Sequence, residues 1–249
     1  MDLRIFPDGD ALSQGVARAI VDRIHESLAT ADHYSLCLAG GQTPRTLYRV
    51  LATEDRDRIP WARLHLFWGD ERFVPQDDPR SNYRLVREAL LDHVPIPPQN
   101  VHPVPTDLPD PEQAARVYEQ TLRQWFHTSW PRFDLILLGM GSDGHTASLF
   151  PGAPFLAEQI RWVAPALAPV DPRLRVTLTL PVLNHASRVF FLIAGAEKAD
   201  VLRRVLTDPS GPALYPAAAV RPKEGGVVWW VDESAASATP RHEPRSPGD

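Results

Sequence analysis

The sequence predicts an α/β fold, a three-layer arrangement in which helices cover both faces of a mostly parallel sheet. Three observations carry this. Short apolar runs alternate with amphipathic segments of helical period along most of the chain, the pattern of repeated strand–helix units. The run Phe133–Leu138 is continuously apolar after Asp134, as expected for a strand buried on both faces. No Gly/Ser linker divides the chain, and no period of roughly 20 to 50 residues recurs that would signal a solenoid.

The elements follow in order. Leu3–Phe6 reads as a strand, and Asp10–Ala31 as an amphipathic helix with Leu12, Val16, Ile20, Ile24 and Leu28 on one face. Tyr34–Leu38 is a strand and Arg45–Ala52 a helix, followed by the strand Leu64–Trp68 and the helix Asn82–His93. The Pro-rich stretch Val94–Pro111 reads as an ordered surface connection before a longer helix, Pro111–Thr128. After Phe133–Leu138 come the strands Val176–Leu180, Val189–Ala194 and Val227–Val231, with the helix Glu197–Leu206 between the last two. One domain is expected over residues 1–233. Residues 234–249 hold Ser, Pro, Arg, His and Gly without a large apolar side chain, and read as a flexible tail.

Composition narrows the function classes. The chain has 249 residues, 43% hydrophobic and 23% charged, with a formal net charge of −5. A general nucleic-acid binder would carry a basic excess, so that class is demoted. No apolar run is long enough to span a bilayer, and Met1–Phe6 lacks the apolar stretch of a signal peptide. A single cysteine, Cys37, excludes an intramolecular disulfide and a Cys-rich zinc site. A cytoplasmic protein is expected. Lysine occurs only at Lys198 and Lys223, a bias that base composition explains; a lysine that persists in such a chain can mark a place where arginine does not fit.

Four stretches could carry chemistry. Leu38-Ala39-Gly40-Gly41-Gln42-Thr43-Pro44 leaves a strand and enters a helix. Its glycines let backbone N–H groups approach an anion, with Thr43 adding a hydroxyl; a tight turn plus helix cap explains the same residues. Trp68-Gly69-Asp70-Glu71-Arg72-Phe73 follows a strand, where ligands gather in open α/β sheets. Asp70 and Arg72 could bind sugar hydroxyls or stabilise negative charge there, or simply form a solvated loop. In Leu138-Gly139-Met140-Gly141-Ser142-Asp143-Gly144-His145-Thr146, His145 is expected at a helix N-terminus. The dipole there disfavours the cation, leaving a neutral ring able to take a proton from water. Arg175 and Lys198 read either as anion ligands or as surface ion-pair residues. The other eight histidines are scattered without metal-ligand spacing, and no GxSxG elbow marks a serine nucleophile.

Taken together, Leu38–Pro44, Trp68–Phe73 with Ser81-Asn82-Tyr83, Leu138–Pro151, Arg175–Leu183 and Gly195–Ala199 resemble the lactonase branch of the glucosamine-6-phosphate isomerase/6-phosphogluconolactonase family. The resemblance runs in order from about Leu3 to about Ser234. It implies a single domain with a modified Rossmann-like sheet, and hydrolysis of 6-phospho-D-glucono-1,5-lactone to 6-phosphogluconate in the oxidative pentose phosphate pathway. It implies no metal or organic cofactor, and no partner beyond the sugar phosphate, with a monomer or weak homo-oligomer. By the family pattern His145 is the general base. Gly40, Gly41, Gln42, Thr43, Gly144, Arg175 and Lys198 fall at substrate- and phosphate-binding positions, and Asp70, Arg72 and Asp143 in the sugar pocket, with Asp70 and Arg72 close to the chemistry.

The chemistry is consistent with that. A lactone is an activated ester, so hydrolysis needs one positioned base and one oxyanion stabiliser; Arg72 or glycine-loop amides could supply the second. The sister activity, deamination and isomerisation of an amino-sugar phosphate, needs further acid/base groups. Its enzymes resemble DGHxAFNEP, with a glutamate shortly after the histidine. Here Thr146-Ala147-Ser148-Leu149-Phe150-Pro151 follows, and the next carboxylate is Glu158. A non-catalytic sugar-phosphate sensor would need a DNA-binding or partner module, and no convincing helix-turn-helix segment lies outside the α/β pattern.

Overall fold

The computed structural model of the protein describes residues 2–239. In chain order its elements are β1 (Asp2–Phe6), α1 (Gly9–Leu28), β2 (Tyr34–Leu38), α2 (Gln42–Thr53), β3 (Leu64–Trp68), β4 (Asp70–Arg72), α3 (Asn82–Ala89), β5 (Val101–His102) and α4 (Pro111–Phe126). These are followed by β6 (Leu135–Leu138), β7 (Val163–Leu167), β8 (Leu174–Leu178), α5 (Leu180–Leu183), β9 (Arg188–Ile193), α6 (Ala199–Thr207), α7 (Gly211–Leu214), α8 (Pro216–Ala219), β10 (Gly226–Asp232) and α9 (Glu233–Ala236). Seven strands form one sheet in the order β1-β10-β9-β6-β2-β3-β5, and every pairing in it is parallel.

The longest helices start at side-chain caps. Asp8 accepts from the N–H of Ala11 at 2.8 Å and opens α1, whose expected apolar face is buried from Leu12 to Leu28. Asp110 does the same for α4 with Pro111 in the first turn. α2 begins at Gln42, three residues before the expected start, because Pro44 sits in the first turn, where no intrahelical N–H bond is needed.

The expected α/β class holds, with an addition the periodicity did not show. A second sheet, β4-β8-β7, is antiparallel. The stretch 176–180, expected as a strand in register with the rest, is instead β8 two residues earlier and belongs to this second sheet. β7 contains Pro165, which masks it in the sequence but is tolerated on an edge strand. Part of the stretch 234–249, expected as a flexible tail, is ordered: α9 continues into it, and Ala235 and Ala236 are buried. Residues 240–249 of that stretch lie outside the described residues.

Two buried tyrosines finish the strand ends that matter for the site. The Tyr48 hydroxyl accepts from Ala39 N–H at 2.9 Å and donates to Ala39 C=O at 2.7 Å. Tyr118 makes the equivalent pair with Trp68 at 2.8 and 3.0 Å. Backbone groups released where β2 and β3 end are therefore satisfied by a side chain, and the chain can turn away from the sheet. After β2 the chain proceeds to β3 on one side; after β6 it proceeds to β9 on the other. The β2/β6 boundary is thus the topological switch point, where open α/β sheets form a crevice.

Candidate active site

A cleft of about 590 Å³ lies at that switch point, walled by the chain segments that leave β2, β3, β6 and β9. Gly40, Gly41, Gln42 and Thr43 enter it from β2, Asp70 and Arg72 from β4, His145 from the loop after β6, and Lys198 from the turn after β9. Residues separated by more than 150 positions meet because parallel strands deliver their following loops to one edge.

The Gly-Gly loop has a steric reason. Gly41 has φ 104°, a region that favours glycine, and it serves as the N-cap of α2 without any side-chain cap bond. Any side chain at Gly40 would collide with the Asn82 amide, which occupies that space. The first turn of α2 thus presents backbone N–H groups that no side chain caps, at the positive end of a 12-residue helix.

His145 is not at a helix N-terminus, so the dipole argument for its protonation state falls away. The chain enters a tight turn instead, in which Gly141 N–H donates to His145 C=O at 2.9 Å and Gly144 N–H to Gly141 C=O at 3.0 Å. What orients the imidazole is Asp143. Its Oδ1 lies 2.5 Å from His145 Nδ1 and also accepts from the His145 backbone N–H at 3.1 Å. Burial pushes the Asp143 carboxyl up, but hydrogen bonds and charge from His145 outweigh this and leave it below the ordinary carboxylate range. An ionised Asp143 holds the proton on Nδ1 and leaves the Nε2 lone pair free. Gly141 has no room for a side chain, which would strike the imidazole and the Asp143 carboxylate, and Gly144 (φ 79°) packs against the Tyr215 ring. The Phe150 ring lies beside the imidazole, with centroids 4.5 Å apart.

Asp70 and Arg72, read as loop residues, form β4, which pairs antiparallel with β8 so that Asp70 faces Thr177 and Arg72 faces Arg175. Asp70 Oδ2 accepts from the Ser148 hydroxyl at 2.6 Å, which ties β4 to the histidine loop. Arg72 donates through Nη1 to the Arg80 carbonyl at 2.6 Å, while its Nε is buried without a partner. Arg175 is only 6% exposed, its Nε is likewise unpartnered, and it does not line the cleft. Burial first, and the neighbouring Arg72 charge second, lower its pKa. Two adjacent guanidiniums with unpaired buried donors are costly, and an anion held there would relieve that cost. Asp143, which is exposed, and Gly144, which is buried, do not line the cleft themselves.

Sequence reasoning places Glu71, Asn82, Ser148 and Glu197 within the matched stretches but gives them no role. Asn82 and Glu197 line the cleft, while Glu71 and Ser148 support it from within. For Glu71 a signal was present: in a strand Asp70-Glu71-Arg72, alternation sends the middle residue to the opposite face. Glu158, the nearest carboxylate after the histidine loop, is committed elsewhere. It accepts from the N–H groups of Gln159, Ile160 and Arg161 at 2.9, 2.8 and 3.1 Å, bonds that lower its pKa, and it does not line the cleft.

The chain was compared with known proteins. The family model described as glucosamine-6-phosphate isomerases/6-phosphogluconolactonase matches residues 7–229. A 6-phosphogluconolactonase of Synechocystis sp. is 43% identical over 226 residues, covering 88% of this chain and 92% of the relative. The crystal structure of 6-phosphogluconolactonase from Thermotoga maritima superposes with a TM-score of 0.79 at 38% identity, covering 93% of this chain and 99% of that one. A monomeric glucosamine-6-phosphate deaminase shares the fold at 24% identity, with a TM-score of 0.78 over 96% of this chain and all of its own. The crevice at the β2/β6 boundary, the histidine–aspartate turn on its wall and a family match over nearly all the described residues agree, and the chain belongs to the glucosamine-6-phosphate isomerase/6-phosphogluconolactonase family.

Proposed function

We propose that the protein is a 6-phosphogluconolactonase, hydrolysing 6-phospho-D-glucono-1,5-lactone to 6-phosphogluconate with His145 as general base. The observation that carries the mechanism is the 2.5 Å contact between Asp143 and Nδ1 of His145, a cleft-lining residue, which leaves Nε2 as the proton acceptor. Nε2 takes a proton from water as the oxygen attacks the lactone carbonyl, and the carbonyl electrons move onto oxygen to give a tetrahedral oxyanion. Collapse of that oxyanion re-forms the carbonyl and breaks the bond to the ring oxygen, which takes the proton back from the imidazolium. The net change is addition of one water, with no covalent enzyme intermediate and the histidine restored.

The phosphate end is assigned to the uncapped first turn of α2, to Lys198 and to Arg72 with Arg175 beside it, where positive partial and full charges converge. The sugar hydroxyls fall to Asp70, which Ser148 holds in place. The relatives' names support the same substrate. The direct test is a coupled assay with freshly prepared lactone, with the spontaneous opening rate subtracted. Hydrolysis well above the blank is expected, and a rate equal to the blank refutes the reading.

A further inference from the structure

Glu71 is the middle residue of β4. Its neighbours Asp70 and Arg72 line the cleft, and strand alternation turns Glu71 away from it, to a position only 1% exposed. It has no ion-pair partner among the described residues; four donors satisfy its carboxylate instead. Oε1 accepts from the N–H groups of Arg72 and Asn82, each at 2.7 Å, and Oε2 from the N–H of Tyr83 at 2.7 Å and the Ser81 hydroxyl at 3.2 Å. Helix capping accounts for its bonds to the first N–H groups of α3, which Ser81 leaves free by accepting from Arg84 N–H, but not for its bond to Arg72 N–H in β4. Burial opposes the charge, pushing the Glu71 carboxyl up to about 7 against the pull of three N–H bonds.

What the carboxylate joins is the substrate-facing wall. Asn82, held by its N–H, donates through Nδ2 to the Asp70 carbonyl at 3.0 Å, and its amide fills the space beside Gly40. Arg72, held by its N–H, faces the cleft from the other side of the same strand. A single buried group thus links β4, the start of α3 and, through Asn82, the Gly-Gly loop. We infer that Glu71 is a positioning residue for substrate binding: it fixes Asp70, Arg72, Asn82 and the Gly40 loop relative to one another, and touches no reacting atom itself. The ligands named in its test rest on the lactonase reading; the clamp itself does not.

Glu71→Gln keeps the size of the side chain but turns one acceptor oxygen into an NH2 that faces donors. KM for the lactone and Kd for 6-phosphogluconate should each rise roughly 10-fold, the loss typical of a buried hydrogen bond to a charged group. The value of kcat should stay within about threefold, because His145 sits on a different loop. A merely structural role gives the opposite split: a smaller folded fraction lowers apparent kcat and leaves KM and Kd unchanged, and that result overturns the proposal. Asn82→Ala should be less than additive with Glu71→Gln in Kd, and additive effects also overturn it. Glu71→Asp, which keeps the charge at shorter reach, serves the same test if the glutamine variant does not fold. Amide hydrogen exchange needs no ligand: Glu71→Gln should speed exchange at Asn82, at Tyr83 and at Arg45, whose N–H donates to the Gly41 carbonyl at 3.2 Å, and unchanged protection at Arg45 refutes the clamp. Wild-type protein that neither opens the lactone nor binds 6-phosphogluconate would instead fail the functional reading, while exchange would still decide the clamp.

Discussion

At the residue scale, the imidazole and the cations play separable parts. Substituting His145 by Ala or Gln removes the proton acceptor, and loss of a general base typically costs on the order of 10² to 10⁴-fold. The loss should fall on kcat rather than KM in steady-state kinetics, because the base acts in the transition state. Near-normal kcat in a folded variant would place the base elsewhere, and Asp70 would be the next group to examine. Lys198→Ala should weaken 6-phosphogluconate binding by about 10 to 150-fold, the range for a charge-assisted hydrogen bond, while Lys223→Ala, outside the cleft, should do little. Arg175 differs because it is buried near the Arg72 charge and makes no ion pair among the described residues, although Asp70, Glu71 and Asp171 lie near enough to act on its charge. Arg175→Met should therefore raise Kd for 6-phosphogluconate by roughly 10-fold while leaving thermal stability unchanged or higher, since it removes an unpaired buried charge. A fall in both affinity and melting temperature would mean that Arg175 is a structural cation.

At the element scale, legibility followed the burial pattern. β2 and β3 lie where the sequence places them because both are short runs that are apolar except for one polar residue each, Ser35 and His65. β5 has two residues and hides in a Pro-rich connection; β4 has three residues, all charged, and exists only because β8 pairs with it. Pairing partners distant in sequence leave no local period, so the second sheet was invisible, and with it the reason that Glu71 is buried. His145 lines the cleft, but its turn reads as a helix start in the sequence, since three glycines serve either structure. The β3–β5–α4 edge also sets a pH limit. His65 Nδ1 accepts from Trp125 Nε1 at 3.0 Å and lies 3.0 Å from His102 Nε2, with the His33 ring edge-on to it. Burial first, then the charges of His102 and His33, depress its pKa to about 4. Between about pH 6.5 and pH 4 the unfolded chain binds a proton that the folded chain refuses, so stability is full above that window and falls as pH drops through it. Melting temperature measured across this range should show the decline, and His65→Gln should flatten part of it. An unchanged slope would locate the acid sensitivity in other groups.

At the scale of the whole molecule, a chain of net charge −5 places Lys198 and Arg72 in one crevice, with Arg175 opposite Arg72 on the neighbouring strand behind it. Attraction of an anionic substrate is therefore local, set by the cleft and not by the overall field. The fold by itself does not choose between lactone hydrolysis and amino-sugar deamination, since a deaminase shares it. The proton inventory of the cleft does. Hydrolysis needs one base and one oxyanion site. Deamination must open the ring, take a proton from carbon and release ammonia, which requires several positioned acid/base groups. Asp70 could take the carbon proton, but the stretch Thr146–Pro151 that follows His145 holds no carboxylate to support it in ring opening, Asp143 is already bound to Nδ1, and the Phe150 ring lies beside the imidazole. Glu158 is held by three backbone N–H groups away from the cleft. Glucosamine 6-phosphate should therefore bind through its phosphate and release ammonia orders of magnitude more slowly than the lactone opens. A coupled ammonia assay on the same preparation checks this. A trace rate is compatible with the lactonase reading, because Asp70 and the phosphate site still hold a sugar near a base; ammonia release at a rate comparable to lactone hydrolysis would reverse the assignment.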